Sequence, residues 1–580
     1  MHTKYFFQKT FIFLIIIASF WETDVFAGLK DDVGYTMLSG ALGSSTPDGT
    51  GVWVTQVEAP VTNGEWMPDP GNSQFDGKTL NDMSGSGGLY SSHATTVAYY
   101  FFGNTASMAP GVSVIDCFSI NHWLASGYLR VSDDRHPLSS SSRISNHSWV
   151  GTSPGYASEI LRRLDWVIDR DEFIQTVANC VSGSPLMGDS FNSIVVGRTS
   201  GESGSGTVYV DSDYTGGRQN PHIVAPQAYL SNAIPVISSI AGVLVEAGHT
   251  KTYLSNDPYI TYRTNRSGNR IYNAERSEVI KAVLMAGADR FTHNTTQWDI
   301  TTYRTDPVDQ TENGLDKRYG AGQLNIYNSY FILAGGEQNC EEDAPEGGGH
   351  IGWDGFDYDP YFGGVSGSND TSSYYFTADE NHSRLAATLI WNISINGGTY
   401  YSFNGNATLY DMDLLLFDVT DPENPVLSAC SMAEGVNQEN LWVPLEKGTN
   451  YCIQVRKGSS QSDFLWDYAL AWHLQNDGDR DAMPDYWELE NLLDPDNPND
   501  ADKDPDFDGL PNSEEYTYGT DPGNSDTDED EFPDGYEVKE GYDPLDPASH
   551  LPYEVPSLSV LTLVCLTGVF FFLEAHYSRK

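Results

Sequence analysis

The stretch AYLSNAIPVISSIAGVLVEAG, from Ala228 to Gly248, opens with Ser231 and then carries no charge before Glu246. A serine at a helix start is usually a cap, and an apolar helix is usually buried core. The N-terminus of a helix also favours negative charge, which suits a serine whose attack on a carbonyl creates an oxyanion. We therefore predict a helix buried across a sheet, with a serine at its start that is either a cap or a nucleophile.

The chain around this helix, residues 38–335, alternates strand-like runs with helix-like runs. GVWVTQV, VSVIDCFSI and SIVVGR are strand-like, whereas YASEILRRLDWVI and SEVIKAVLMAGA are helix-like. This alternation predicts an α/β domain with a mainly parallel sheet. A glycine- and acid-rich segment, residues 336–368, is predicted to be a linker. Short alternating runs such as RLAATLIWNISI and NYCIQVRK then predict a β-sandwich at residues 369–474.

The charge of the chain restricts its partners. The 580 residues include 81 acidic and 31 basic ones, which gives a net charge of −50. Binding to nucleic acid needs clustered lysine and arginine, so the composition argues against a nucleic-acid partner and favours divalent cations. A chain of this length is expected to form about two to four domains.

Both ends of the chain carry apolar runs. Residues 1–27 combine Lys4 and Lys9 with FIFLIIIASF and small residues up to Ala27, which predicts a cleaved signal peptide; the apolar core is short for a membrane anchor. Residues 555–580 contain VPSLSVLTLVCLTGVFFF and a basic end, which resembles bacterial C-terminal sorting tails. A plain membrane helix is the alternative. Either interpretation predicts export to the extracellular space or to the cell surface of a bacterial envelope.

Residues 477–550 form a third predicted region, in which one acidic spacing recurs three times. Residues 477–554 hold 27 acidic and 3 basic residues. In each twelve-residue loop, oxygen-bearing side chains fall at positions 1, 3, 5, 9 and 12: Asp477, Asp479, Asp481, Asp485 and Glu488; Asp504, Asp506, Asp508, Asn512 and Glu515; Asp526, Asp528, Asp530, Asp534 and Glu537. This spacing predicts Ca²⁺ binding, with the glutamate closing the shell. The alternative is an acidic disordered linker.

These loops differ from standard EF-hands at position 6. Gly509 occupies the sharp turn of the second loop, but Ala482 and Glu531 stand there in the other two. Each loop has proline at position 8, and the array resembles thrombospondin type 3 repeats of bacterial surface proteins.

A nucleophilic serine needs a base, a group that orients the base, and donors for the oxyanion. SSHATTVAYYFFGN places His93 at the start of another apolar helix. This run, together with SMAPGV, RISNHSWVG, FIQTVANCVSG and PHIVAPQAYLSNAIPVISSIAG, resembles the motifs of subtilisin-like serine peptidases. The resemblance covers residues 38–335. It implies a three-layer α/β/α fold and an endopeptidase that cleaves protein or peptide substrates through an acyl-enzyme.

The resemblance also assigns roles to single residues. Ser231 matches the nucleophile, His93 the general base, and Asn179 the side-chain donor to the oxyanion. At the end of the first strand, where the family has aspartate, this chain has Glu58, which we take as the orienting acid. Asp48 and Asp116 are the rival acids, although neither fits the family order.

A second departure from the family is YLS, at residues 229–231, where the family usually has Gly-Thr-Ser. This departure and Glu58 favour an alternative function, an inactive subtilisin-like fold that serves as a surface adhesion or binding module.

The cysteines do not form a disulfide framework. Of the six cysteines Cys565 lies in the tail, which leaves an odd number outside it. Cys430 and Cys452 flank the strand-like run NLWVPL, and we expect that they could bridge neighbouring strands.

Overall fold

The computed structural model describes residues 28–549 except 62–63, 154, 180–185, 293, 344–347, 364–368, 379–381, 400–401, 460, 477–480, 482, 496, 529 and 548. The predicted signal peptide and C-terminal tail, as well as Cys180, Cys565, Asp477 and Asp479, lie outside the described residues. Two compact units are present. The first holds the described residues up to Lys503 together with Asn512–Gly519, and the second holds Asp504–Pro511 and the described residues from Thr520 onward.

The N-terminal part of the first unit is built on a parallel sheet. Its seven described strands are β1 (Val54–Glu58), β2 (Thr79–Asp82), β3 (Val114–Ser119), β4 (Ile144–His147), β5 (Ile174–Ala178), β6 (Ile194–Arg198) and β7 (Ile223–Ala225). They lie in the order β2-β3-β1-β4-β5-β6-β7, and neighbouring strands run parallel. Strands buried on both faces are typical of sheets covered by helices on each side. The predicted α/β fold is therefore confirmed.

Helices cover both faces of this sheet. They are α1 (Tyr35–Leu42), α2 (Ser92–Phe102), α3 (Ala157–Asp171), α4 (Leu230–Thr250), α5 (Ser277–Ala286) and α6 (Ile326–Ala334). Leu161 and Leu164 of α3 share a core with Val57 and Val177 on one face. The helices α2, α4, α5 and α6 share a second core with the other face. These three layers match the predicted arrangement.

Helix α4 is the buried helix that the opening stretch predicts. Within the described part of the chain it is the one helix long and apolar enough to cross a membrane, yet 78% of its most apolar window is buried inside the structure. Such burial is typical of the core helix of a domain. A small hairpin of β8 (Tyr262–Thr264) and β9 (Arg270–Tyr272) follows it.

A β-sandwich follows the α/β part within the first unit. Its strands are β10 (Asp354–Phe362), β11 (Thr371–Thr377), β12 (His382–Ile390), β15 (Met412–Asp418), β16 (Val426–Ser431), β17 (Gln438–Pro444), β18 (Asn450–Lys457) and β19 (Trp466–Asn476), while β13 (Ser394–Ile395) and β14 (Ala407–Thr408) form a separate pair. One antiparallel sheet has the order β10-β19-β12-β17 and the other β11-β18-β15-β16. The predicted sandwich is confirmed. Strand β10 lies within the predicted linker, so the sandwich begins before residue 369; the many acidic residues of this strand hide its alternation.

The cysteine pairing expected from the sequence is wrong. Cys430 on β16 pairs in register with Leu415, and Cys452 on β18 pairs with Phe417, so that β15 separates the two cysteine-bearing strands. Strands two positions apart lie about 9–10 Å from each other, beyond the reach of a disulfide. Both residues are free cysteines.

The repeat region 477–550 is divided between the two units. Helices α7 (Asp485–Glu490) and α8 (Asn512–Tyr518) belong to the first unit, and α9 (Asp534–Glu540) belongs to the second. A local contact recurs in this region, because the backbone N–H groups of Asp494, Asp521 and Asp543 each donate to a side-chain oxygen six residues later, on Asp500, Thr527 and Ser549. The acidic region is therefore folded in part as a structural repeat.

Candidate active site and metal clusters

The residues predicted for catalysis lie where strands end and helices begin. Glu58 is the last residue of β1, and Asn179 directly follows β5. In open parallel sheets, ligands bind beyond the carboxyl ends of the strands. His93 and Ser231 lie in the first turns of α2 and α4, two helices that pack against each other.

Glu58 and His93 are in direct contact. His93 Nδ1 lies 3.1 Å from Glu58 Oε2. The glutamate side chain is 2% exposed, whereas the imidazole is 40% exposed. Among the described residues, the second ring nitrogen, Nε2, has no hydrogen-bond partner. This arrangement holds the ring by one nitrogen and leaves the other available to act as a base.

The contact shifts the ionisation of both groups. The hydrogen bond that His93 donates to Glu58 raises the pKa of His93 above its ordinary value. Burial raises the pKa of Glu58, and the hydrogen bond and charge of His93 oppose that rise. A buried carboxylate whose charge is stabilised mainly by one imidazole favours the protonated form of that imidazole.

Gln56 fixes the second oxygen of Glu58, although the sequence motifs do not point to it. Its Nε2 donates to Glu58 Oε1 at 2.8 Å and to the carbonyl of Ala94 at 2.9 Å. Gln56 and Glu58 are two residues apart on β1, so their side chains lie on the same face of the sheet. The alternation of side chains along β1 was the signal that could have identified Gln56, because it places the Gln56 amide on the same face as the Glu58 carboxylate.

Helix α2 places His93 by a conventional cap. The Ser91 hydroxyl accepts a hydrogen bond from the N–H of Ala94, and Thr95 Oγ1 donates to the carbonyl of Ser91. The N–H of Asp69 donates to Thr95 in turn. His93 is therefore the second residue of a helix whose start is held by hydrogen bonds within its first turn and by one from the N–H of Asp69.

Ser231 is not the cap of α4. The cap position is Tyr229, which makes no side-chain capping bond, and Ser231 is the second residue of the helix. In a regular helix the N–H of residue 235 donates to the carbonyl of residue 231. Pro235 has no N–H, so the carbonyl of Ser231 lacks this hydrogen bond. The half-buried Ser231 has no hydrogen bond to His93 within the described residues. The two side chains thus lie in the first turns of two packed helices and are not hydrogen-bonded to each other.

Asn179 is bonded to other groups in this structure. Its Nδ2 donates to the carbonyls of Ser203 at 3.1 Å and Gly204 at 2.8 Å, and the residue is 0% exposed. Residues 180–185, which follow it, lie outside the described residues. Donation to an oxyanion would require the amide to exchange these two carbonyls for substrate, so this role stays a prediction.

The rival acids have other partners. Asp116 Oδ1 accepts from Asn81 Nδ2 at 2.8 Å. Asp48 Oδ1 accepts from the N–H and the hydroxyl of Thr50. Neither carboxylate contacts His93, so Glu58 is the acid that the structure brings to the imidazole.

The third acidic loop forms a cluster within the second unit. Asp526, Asp528 and Asp530 each offer a carboxylate oxygen, and these oxygens lie within 4.8 Å of one another. Glu537 is 0% exposed, and both of its carboxylate oxygens lack a hydrogen-bond partner among the described residues. Asp534 is turned toward Thr527, whose N–H and hydroxyl donate to it. At position 6, Glu531 adopts a left-handed φ of 78°, the conformation expected of glycine there.

The second loop shows the same turn. Asp504, Asp506 and Asp508 offer oxygens within 4.8 Å of one another, and Gly509 has a φ of 100°. Asn512 and Glu515 are buried residues of the first unit, at α8.

The first loop gains a member that the twelve-residue spacing does not predict. Oxygens of Asp481, Glu488 and Asp500 lie within 4.8 Å of one another, whereas Asp485 is not part of this group. Asp500 is 4% exposed, and its Oδ1 has no hydrogen-bond partner among the described residues. It lies twelve residues beyond Glu488, outside the twelve-residue pattern. Three aspartates of this region, each followed by a proline, donate their N–H groups to a side chain six residues later. This recurring spacing was the signal that could have identified Asp500.

No protein-family model matches the chain, and neither does any curated protein. Solved structures that it resembles include a cold-adapted subtilisin-like serine proteinase, at 16% identity and a TM-score of 0.24 over 34% of this chain and 77% of that chain. Tripeptidyl peptidase 2 aligns at 9% identity and a TM-score of 0.24 over 66% of this chain and 40% of that chain. PatG macrocyclase in complex with peptide aligns at 13% identity and a TM-score of 0.28 over 50% of this chain and 93% of that chain. We base the function on the geometry of the site, because each TM-score is low.

Proposed function

We propose that the chain is a serine endopeptidase of the subtilisin type, with Ser231 as nucleophile, His93 as base and Glu58 as the orienting acid. The observation that carries this proposal is the 3.1 Å contact between His93 Nδ1 and Glu58 Oε2, where His93 belongs to a helix that packs against the helix of Ser231. A buried carboxylate bonded to one nitrogen of a partly exposed imidazole is the acid–base pair that serine hydrolysis needs.

In the proposed reaction, His93 Nε2 removes the proton from Ser231 Oγ as the oxygen attacks the substrate carbonyl. The same nitrogen then donates this proton to the leaving amine, which leaves an acyl group on Ser231. Water, deprotonated by His93, releases the acyl group. Glu58 stays ionised and stabilises the imidazolium that forms in each step.

The oxyanion is stabilised at the start of α4. The first N–H groups of a helix have no partner within the helix, and the dipole favours negative charge there. The N–H of Ser231 is one of these groups. Asn179 is the predicted side-chain donor, and removing one such donor costs about 3 kcal/mol in comparable sites.

Tyr229 is the residue that we expect to affect access of the substrate to Ser231. Its side chain is 69% exposed, two residues before the nucleophile. An aromatic residue here, where the subtilisin-like family usually has glycine, would narrow the approach to Ser231. The proposed substrate is a protein or peptide segment that passes beside this ring.

Calcium is the proposed cofactor of the acidic loops. In the third loop Asp526, Asp528, Asp530 and Glu537 would hold the ion, since three carboxylates converge and the buried glutamate has two oxygens without partners among the described residues. Ca²⁺ prefers oxygen ligands and a closing bidentate glutamate. The bound ion would supply positive charge that keeps the loop folded. The apolar runs at residues 1–27 and 555–580 support export and anchorage at a cell surface.

The alternative is an inactive fold that acts as an adhesion or binding module. Two observations favour it: Ser231 and His93 are not hydrogen-bonded, and the Asn179 amide is bonded to Ser203 and Gly204. The sequence favoured this alternative partly because Glu58 replaces the aspartate of the family. The contact of Glu58 with His93 removes that reason. Apo active sites often show long catalytic hydrogen bonds, which keeps the enzyme as the preferred proposal.

Reaction with a fluorophosphonate tests the proposal. We expect covalent labelling of Ser231, identified by peptide mass spectrometry, that is lost in Ser231→Ala and His93→Ala. Ser239→Ala is the matched control, because this buried serine lies on the same helix and its hydroxyl donates to the carbonyl of Val236. Absence of labelling in folded, calcium-loaded protein would favour the binding module.

A further inference from the structure

A loop directly after β6, residues 199–206, occupies the amide that the proposed function assigns to the oxyanion. Asn179 Nδ2 donates to the carbonyl of Ser203 at 3.1 Å and to the carbonyl of Gly204 at 2.8 Å. An amide nitrogen carries two hydrogens, so these two acceptors use both of them. In peptide hydrolysis the partner of such an amide is the carbonyl oxygen of the substrate, which becomes the oxyanion. Here the chain supplies two peptide carbonyls of its own.

Asn179 is closed off from solvent in this arrangement. Its backbone N–H donates to the carbonyl of Val196 on β6 at 3.0 Å, so the residue is held where β5 and β6 end. Asn179 is 0% exposed. A substrate carbonyl can therefore reach Nδ2 only after a neighbouring part of the chain moves. The two carbonyls bonded to Nδ2 are the groups that must leave it.

The loop is fixed at both of its ends. The N–H of Thr199 donates to the carbonyl of Ala225 on β7 at 3.2 Å, and the Thr199 hydroxyl donates to Gln323 Oε1 at 3.0 Å. At the other end, the N–H of Gly206 donates to the carbonyl of Asn220 at 3.1 Å. The middle of the loop can therefore move while these anchors keep its ends in place.

The middle of the loop is exposed and holds few contacts. Gly201 and Gly204 have φ values of 70° and 78°, in the left-handed region that glycine adopts without strain. Glu202, Gly204 and Ser205 are exposed. Among the described residues, Ser203 and Gly204 take part in three hydrogen bonds, of which two come from Asn179 and one from the residue that ends β6. Release of Asn179 would thus remove most of what holds this segment.

Arg198, the last residue of β6, connects the loop with the segment that leads to Ser231. The N–H of Arg198 donates to Ser203 Oγ at 2.7 Å. Its guanidinium donates to the carbonyl of Ala228 at 2.8 Å and pairs with Glu202 at 3.2 Å. Ala228 lies three residues before Ser231. One residue therefore holds both the loop and the approach to the proposed nucleophile.

The atoms in contact distinguish a blocking role from an orienting one. A group that orients an oxyanion donor would bond the oxygen of the Asn179 amide and leave Nδ2 for the substrate. The loop bonds Nδ2 itself, with two acceptors. The carbonyls of Ser203 and Gly204 therefore compete with the substrate for the same hydrogens.

We propose that residues 201–205 form an autoinhibitory gate over Asn179, which opens when a substrate carbonyl replaces the carbonyls of Ser203 and Gly204. This inference rests on the proposed function, because it takes Asn179 as an oxyanion donor. A ligand shifts such an equilibrium only by binding one state better than the other, and only the open state can bond an oxyanion through Nδ2. Substrates that bind weakly are therefore disfavoured, since their binding does not offset the loss of the two loop bonds.

The rate at which Ser231 reacts with a fluorophosphonate tests the gate, since the phosphoryl oxygen needs the same donors as the oxyanion. In Gly204→Ala the added Cβ strains the left-handed conformation of the closed loop and disfavours that state. We expect labelling about fivefold faster or more than in the wild type. Gly268→Ala is the matched control, because this glycine has a φ of 86° in the turn between β8 and β9 and has open space around an added Cβ. Its labelling rate should equal that of the wild type.

The other outcomes separate the gate from the proposed function. Labelling at equal rates in all three proteins would overturn the gate and leave the proposed function standing. Slower labelling in Gly204→Ala would show that the loop supports the amide rather than blocks it, which also overturns the gate. No labelling in any of the three proteins would overturn the proposed function, and the gate with it.

Hydrogen exchange followed by mass spectrometry tests the movement in the wild-type protein, so that it does not depend on how a variant folds. Peptides that contain residues 201–205 should exchange severalfold faster once Ser231 is phosphonylated, because Asn179 then releases the loop. Peptides that contain residues 262–272 should exchange as before. Unchanged exchange at residues 201–205 in the labelled protein would contradict the opening of the gate.

Discussion

Glu58 and Glu537 are both buried carboxylates, but their surroundings compensate their charges in different ways. Glu58 is bonded to His93 at one oxygen and to Gln56 at the other. Burial, followed by the charges of Asp528 and Asp530, raises the pKa of Glu537 to about 8, and neither of its carboxylate oxygens has a hydrogen-bond partner among the described residues. A carboxylate that is hydrogen-bonded to another side chain is suited to orient that side chain. A buried carboxylate without a counter-charge needs a bound cation. The surroundings, rather than the residue type, separate the proposed catalytic acid from the proposed metal ligand.

The largest expected effect comes from removing the charge that acts on His93. Glu58→Gln should lower kcat/KM by up to ~10⁴, because the imidazole loses its favoured tautomer and the partner that stabilises its cation. Hydrolysis of a fluorogenic peptide measures this loss. Asp116→Asn, which alters a carboxylate bonded to Asn81, should leave the rate near the wild-type value. Equal losses in both variants would show that Glu58 has no special role.

A smaller effect is expected at Glu537 of the third acidic loop, whose carboxylate oxygens have no hydrogen-bond partner among the described residues. Ca²⁺ at one hundred times its dissociation constant stabilises a folded protein by about 2.7 kcal/mol per site. Glu537→Gln should therefore reduce the calcium-dependent rise in Tm measured by calorimetry. Glu540→Gln is the control, since this exposed glutamate lies on the same helix. The calcium assignment of the third loop fails if both variants respond to Ca²⁺ like the wild type.

The smallest expected effect concerns the amide beside Glu58. Gln56→Leu removes a hydrogen bond to a charged group, which is worth about 1.5–3 kcal/mol, and should lower kcat about tenfold or more with little change in KM. It should also raise the pKa of Glu58 further and shift the pH profile. Gln74→Leu, whose amide is bonded to Thr105, should change neither. A loss confined to Tm would assign Gln56 a structural role only.

The sequence predicted the fold well where periodicity determines structure. The alternating runs of residues 38–335 correspond to the parallel sheet and its helices, and α4 is buried as its charge-free stretch predicts. The outer strand β10 escaped because Asp357 and Asp359 face the core. In an outer strand the apolar residues are expected to face the core of the sandwich. In β10 they do not, because Phe356 and Tyr358 pack against the α/β part instead.

The sites were predictable only in part, for a physical reason. Glu58, His93 and Ser231 occur in motifs, and the structure brings the first two into contact. Gln56 and Asp500 contribute through contacts that depend on how strands and loops come together in space. The cysteine pairing was wrong because β15 lies between Cys430 and Cys452, which their spacing in the chain does not reveal.

The pKa of His93 tests the central claim most directly. Histidine NMR of the full-length protein, assigned with His93→Ala, should show His93 titrating above its ordinary value of 6.5 and shifting downward in Glu58→Gln. Because the base must be neutral to act, the acidic limb of kcat/KM should move down in pH with it. An unchanged titration of His93 in Glu58→Gln would contradict the proposed charge coupling.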